Sequence, residues 1–178
     1  MKLSAKAPTD YWRKPPSLDV DSAPKSLQTI PAKSFTRARV TVSASWTRLY
    51  DQGGLFILFP QSAEGKQFWL KTGIEFYNNQ PNLSTVAARE WADWSLLPLS
   101  SNSITVEIER ENKDGMGKGP SLWIYLVEGN KRTAVREVTW AFEKDDDDIQ
   151  VGVYAARPTV EGDAEDALEV SFEDFVLE

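Results

Sequence analysis

The amino-acid sequence predicts an all-β protein, one domain in which two antiparallel sheets pack face to face. Two observations carry that expectation. Apolar and polar residues alternate with period two in one segment after another, the mark of strands with a single buried face. The segments amount to roughly nine or ten and are separated by turn residues rather than by helical stretches, which is the pattern of a sandwich. A length of 178 residues fits one such domain, and no internal repeat or linker divides residues 1–178.

Residues 1–33 carry Pro8, Pro15, Pro16, Pro24 and Pro31. Proline lacks the N–H that a ladder needs, so extended pieces and turns are expected here, not continuous central strands. The segment reads as an arm docked on the domain. Tyr11 and Trp12, in the string Asp10-Tyr11-Trp12-Arg13, either tie that arm down or line a site. Further on, Val40, Val42, Ala44 and Trp46 share a face opposite Arg39, Thr41, Ser43 and Ser45. Gly53-Gly54 breaks the rhythm, and 55–59 is a continuous apolar run suited to a strand covered on both faces.

The rest of the chain is organised around the stretch 68–99. Phe68, Leu70, Thr72, Ile74 and Phe76 form one face of its first strand; Trp69, Lys71, Gly73, Glu75 and Tyr77 form the other. Asn78-Asn79-Gln80-Pro81 turns the chain, 83–89 returns it as the second strand of a hairpin, and a tryptophan-rich segment follows at 91–99. Ile104, Val106 and Ile108 then alternate with Thr105, Glu107 and Glu109, and a glycine-rich loop at 111–120 leads to a strand at 122–127. The β-branched Val135, Val138 and Thr139 favour strand over 132–142. After an acidic turn at 145–148, strands are expected at 149–155 and 168–177, the last beside the N-terminal segment.

Composition narrows function by exclusion. The chain contains neither cysteine nor histidine. Disulfides, thiolate or imidazole metal sites, and Ser-His-Asp or Cys-His triads therefore cannot be built. Any catalysis would rest on carboxylates, lysine, tyrosine or a borrowed cofactor. A net charge of −7 opposes attraction to phosphate backbones and anionic membrane surfaces, so neither nucleic acid nor membrane is expected as a partner. The first residues lack the apolar core of a signal peptide and no apolar run reaches ~18 residues, which reads as a cytoplasmic, non-anchored protein. No cofactor and no metal are expected. The acidic runs at 145–148 and 161–166 lack the spaced ligands and glycine turn of a calcium loop.

The strings DYWRKP, LYDQGGLF, WLKTGIEF, NLSTVAAREWADWSLLPL, VGVYAARP and VSFEDF occur in that order. Together they resemble the DUF1349 family, whose fungal representatives are called regulation-of-enolase-like proteins, over residues 10–178. The resemblance implies a concanavalin A-like jelly roll, no established enzymatic reaction, and a regulatory link to a metabolic enzyme such as enolase.

In a jelly roll, one open sheet face is the usual binding groove. On the polar face of the first strand of 68–99, Trp69, Lys71, Glu75 and Tyr77 recur at steps of ~6.7 Å, with no side chain at Gly73. Such a layout suits a sugar ring, whose apolar faces stack on aromatics while its hydroxyls bond to polar groups. Arg89, Asp93 and Trp94 follow on a connecting segment, and Asp51 and Gln52 are held before the Gly53-Gly54 turn. These nine residues form the expected ligand site. Each has a plainer alternative: Lys71 and Glu75 pair with neighbouring strands, the tryptophans cap the end of the sandwich, and Asp51 caps its own turn.

The expected function is a non-catalytic binding or regulatory protein. Its ligand is expected to be a carbohydrate or small polar metabolite, or its surface to bind a protein; a metabolic enzyme as that partner is implied by the family resemblance alone. The alternative is a glycan-active hydrolase or lyase using Glu75 with Asp93 or Asp51, for which retaining chemistry requires carboxyls ~5–5.5 Å apart. The acids of Glu161-Gly162-Asp163-Ala164-Glu165 alternate as in such enzymes, but glycine and alanine between them indicate a surface loop.

Overall fold

The computed structural model describes residues 1–113, 116–163 and 165–178. Asp114 and Gly115 of the expected glycine-rich loop, and Ala164 of the acidic string, lie outside them. Every regular element among the described residues is a strand, numbered here in chain order.

One six-stranded sheet runs β1 (Lys2–Ala5), β14 (Leu168–Leu177), β5 (Arg37–Ser43), β10 (Ser103–Lys113), β11 (Gly117–Glu128) and β12 (Lys131–Val138). The second runs β4 (Lys25–Pro31), β13 (Asp148–Ala156), β6 (Gln52–Leu58), β7 (Trp69–Tyr77), β8 (Gln80–Ala88) and β9 (Ala92–Pro98). A separate hairpin pairs β2 (Tyr11–Lys14) with β3 (Leu18–Asp21). Neighbouring strands in both sheets are antiparallel. The architecture is a jelly-roll sandwich.

The arm is woven into the fold more deeply than its prolines imply. Pro8, Pro15, Pro16 and Pro24 all fall between strands, and Pro31 is the last residue of an edge strand, where a missing N–H leaves no central ladder incomplete. Short strands fit in the gaps. β1 pairs with β14, as expected for the C-terminal strand, while β4 pairs with β13 in the opposite sheet. The segment 92–98 is also a strand rather than a loop.

Alternating side chains of both sheets fill the space between them: Ala38, Val40 and Val42 of β5, Val106 and Ile108 of β10, Leu55 and Ile57 of β6, Leu70 and Ile74 of β7, and Val151 and Val153 of β13. A second, smaller core lies on the outer face of the second sheet. There Tyr11 of the hairpin meets Phe56 and Trp69 edge-on, at 4.7 and 4.9 Å between ring centroids, above Val86 and Tyr154. This explains the continuous apolar run in β6. Leu55 and Ile57 face the other sheet, Phe56 faces the hairpin, and all three are fully buried. Asn78 and Asn79, both left-handed (φ 53° and 57°), form the tight turn that joins β7 to β8. No helix among the described residues is long and apolar enough to cross a membrane.

Candidate functional site

Beside the second core, the outer face of the second sheet opens into a cleft of about 520 Å³, within the ~300–1,000 Å³ typical of ligand pockets. The arm contributes Asp10, Trp12 and Lys14, the approach to β6 contributes Tyr50, and the first residue of β6 is Gln52. Lys71 and Glu75 come from β7, Trp94 from β9, and Pro158 and Thr159 from the segment after β13.

Period two places Lys71 and Glu75 on the outer face of β7, and Gln52 is the cross-strand partner of Glu75. Lys71 Nζ donates to the Tyr11 carbonyl and to Gln52 Oε1, each at 2.7 Å, and lies 3.5 Å from Asp10 Oδ1. The Tyr154 hydroxyl donates to the same glutamine oxygen at 3.2 Å. Gln52 Nε2 donates to the Tyr50 carbonyl at 3.2 Å and to Asp10 Oδ1 at 3.4 Å. Burial pushes the Lys71 amine below the ordinary lysine range, against the pull of Asp10 and Glu75. With three acceptors around its nitrogen, Lys71 fastens the hairpin to the sheet.

Glu75 is 5% exposed. Its Oε2 accepts from Ser84 Oγ at 2.6 Å and from Trp94 Nε1 at 3.1 Å. Burial raises its carboxyl above the usual range, opposed by Lys71 and by these two donors. Oε1 accepts no hydrogen bond from the described residues. One carboxylate oxygen is thus fixed while the other is left for the cleft.

Aromatic rings form the walls. Trp12 and Trp94 meet edge to face at 6.1 Å, and Tyr50 lies 6.2 Å from Trp94 while stacking on Tyr77 at 5.9 Å. Tyr50 has φ 67°, a left-handed backbone unusual for a bulky residue. The neighbouring Asp51 holds it there. Fully buried Asp51 Oδ2 accepts the Thr47 and Arg48 N–H groups at 3.1 and 3.0 Å. Arg157 then clamps both oxygens, Nε to Oδ1 at 2.9 Å and Nη2 to Oδ2 at 2.8 Å. Backbone strain of this kind persists only where its surroundings over-determine it.

Of the nine residues singled out in the sequence, Gln52, Lys71, Glu75 and Trp94 meet in the cleft, and Tyr77 supports its wall from behind, 5.6 Å from Trp94. The other four lie elsewhere. Trp69 is sealed beneath Tyr11. Asp51 faces Arg157, inside the turn. Arg89 pairs with Glu143 at 3.1 Å and lies over the rings of Phe68 and Trp140, at the lip of a separate hollow of about 300 Å³. Asp93 is next to Trp94 in a strand and so points to the opposite face, where it pairs with Arg136 of β12 at 2.8 Å. The space over Gly73 is not open either, because a Cβ there would lie 2.1 Å from the Gly53 carbonyl oxygen. The glycine lets two backbones approach.

Asp10, Trp12, Lys14, Tyr50, Pro158 and Thr159 are the cleft residues that sequence reasoning did not assign. The aromatic pair beside Asp10 was the available signal for the arm. For Tyr50 it was adjacency to Asp51.

A family model described as a protein of unknown function, DUF1349, matches residues 1–178. The chain belongs to the DUF1349 family. Among curated relatives, the uncharacterized protein AN7484 of Emericella nidulans is 47% identical over 182 residues, covering 99% of this chain and 86% of that one. Regulation of enolase protein 1 of Saccharomyces cerevisiae is 30% identical over 95 residues, covering 53% of this chain and 45% of the relative. Among solved structures, a functionally unknown protein from Saccharomyces cerevisiae superposes with a TM-score of 0.75 at 24% identity, over 99% of this chain and 86% of that one. A bifunctional GH43-CE protein of Bacteroides eggerthii reaches 0.61 at 14% identity, over 99% of this chain and 20% of that one. At such identities the likeness is one of fold.

Proposed function

We propose that this DUF1349 protein is a non-catalytic binding or regulatory protein whose cleft takes a carbohydrate or small polar metabolite. The observation that carries this reading is Glu75 Oε1, the cleft-facing oxygen of an otherwise buried side chain, with no described protein partner and set beside the perpendicular rings of Trp12 and Trp94. A sugar ring can stack its apolar face on an indole while a hydroxyl donates to that oxygen. Ser84 and Trp94 already hold the carboxylate, so little side-chain freedom remains to be lost on binding.

The relative named Regulation of enolase protein 1 supports a regulatory role. In this reading the cytoplasmic protein acts on a metabolic enzyme such as enolase, with the cleft sensing a small molecule. The hydrolase or lyase reading has less support. Neither Asp93 nor Asp51 lines the cleft with Glu75, and the second carboxylate there, Asp10, lies 3.5 Å from the Lys71 ammonium.

The test is a glycan and metabolite screen by NMR and calorimetry on the wild type, Trp94→Ala and Glu75→Gln. Saturable binding by the wild type that both variants lose, with their folds intact, is the expected result. If no compound perturbs the wild type at millimolar concentration, the ligand reading fails. Co-precipitation with purified enolase tests the partner separately.

A further inference from the structure

Resting on the carbohydrate reading, we infer that the cleft selects an uncharged, hydroxyl-bearing ligand and discriminates against the phosphorylated, carboxylated and amino forms of the same sugar. The inference comes from which hydrogen-bonding atoms the protein has already used. Lys71 Nζ donates to Tyr11 and Gln52, and Gln52 Nε2 donates to Tyr50 and Asp10. Trp94 Nε1 donates to Glu75, and Thr159 Oγ1 donates to the Leu49 carbonyl at 2.6 Å. The floor therefore has its donors engaged, while among the described residues the wall keeps two neutral ones, Trp12 Nε1 and the Tyr50 hydroxyl, which suit a hydroxyl oxygen and bring no charge to an anion.

The acceptors are left over. Glu75 uses Oε2 alone, and Asp10 directs Oδ1 to its neighbours, including the Tyr11 N–H at 2.7 Å. Glu75 Oε1 and Asp10 Oδ2 accept nothing from the described residues. A ligand must bring donors to meet them. A phosphate or carboxylate brings acceptors and negative charge to two carboxylates, with the exposed Lys14 at the rim as its counter-charge.

An amine fails for the opposite reason. The Lys71 ammonium already occupies this wall, its nitrogen 5.6 Å from the Trp12 ring centroid and 5.8 Å from that of Tyr154. Lys71 already offsets the charge of Asp10 and Glu75, so a second cation beside it would meet like charge at low dielectric. Hydroxyl groups donate and accept without charge, and suit both halves of the cleft. Specificity of this kind is set as much by what is repelled as by what is held.

The experiment titrates the full chain at neutral pH with methyl glucoside, methyl xyloside and cellobiose, and in parallel with glucose 6-phosphate, glucuronate and glucosamine. Affinity is read by calorimetry and location by the indole N–H signals of Trp12 and Trp94. The expected result is binding of a neutral probe that shifts these signals, with its charged counterparts weaker by at least about tenfold. Glu75→Gln should weaken the neutral probe and narrow the gap to glucuronate. Glucose 6-phosphate, glucuronate or glucosamine binding as tightly as the neutral probe overturns the inference and leaves the carbohydrate reading standing. Failure of all six overturns both.

Discussion

Replacing Glu75 by glutamine should make the protein more stable and less able to bind. Burial, which disfavours the charged form, raises the Glu75 carboxyl above an ordinary 4.5. A carboxyl whose folded pKa exceeds its unfolded one binds protons more readily when folded. Its contribution to stability is fully present below the unfolded value and is lost as pH rises through the folded one. Well above that window the wild type carries the whole deficit, about 1.4 kcal/mol for each unit separating the two pKa values.

Glutamine has the same shape. Its oxygen can accept from Ser84 and Trp94 while its NH₂ group faces the cleft, and it has no charge to desolvate. The variant is expected to match the wild type near pH 4 and to exceed it near pH 8, with a gap in stability and in Tm that widens as pH rises. Urea unfolding followed by tryptophan fluorescence across that pH range measures the difference. A variant less stable than the wild type at the alkaline end, or a gap that does not widen with pH, would refute the reasoning. Stability gained together with binding lost is the signature of a residue kept for function.

Three other substitutions probe the frame around the cleft. Asp51→Asn removes the buried one of two carboxylates on the Arg157 guanidinium, leaving Asp166 at 3.1 Å, and should cost about 3 kcal/mol, visible as a lowered Tm in calorimetry. Gly73→Ala drives a methyl group into the Gly53 carbonyl of the next strand; a loss of at least about 3 kcal/mol, or failure to fold, is expected on a Tm and solubility assay. Asp93→Ala removes a carboxylate whose side chain is 77% exposed, so stability should stay within about 0.5 kcal/mol in urea unfolding and ligand affinity should not change.

Strands with one face against the inter-sheet core were legible in the sequence. In β5 and β10, Val40, Val42, Val106 and Ile108 stand at every second position because the opposing sheet covers one side. β2 and β3 were not legible as strands, since four residues are too few to display a period, and β3 has no fully buried side chain. For the site, alternation correctly placed Lys71, Glu75 and Trp69 on a common face of β7. Alternation states which way a side chain points, not what lies over it. Tyr11, sixty positions earlier than Lys71, decides that Trp69 is sealed and Lys71 anchored. Asp10, Tyr50 and Pro158 likewise reach the cleft only through the chain's topology.

The arm that supplies Asp10, Trp12 and Lys14 begins in one sheet, at β1, and ends in the other, at β4. Between those attachments it is pinned by Lys71, and also by Arg13, whose Nη1 donates to the carbonyls of Gln67 and Arg89 at 2.9 and 3.1 Å. A segment tied at both ends and in the middle cannot swing aside without unzipping part of a ladder. The cleft is therefore held in one shape by the fold, and on the proposed reading a ligand would draw little on the conformational equilibrium of the chain. A signal passed to a partner enzyme from such a rigid site would have to travel through the ligand's own exposed surface at the mouth, read directly by the partner, rather than through a change in the shape of the sandwich.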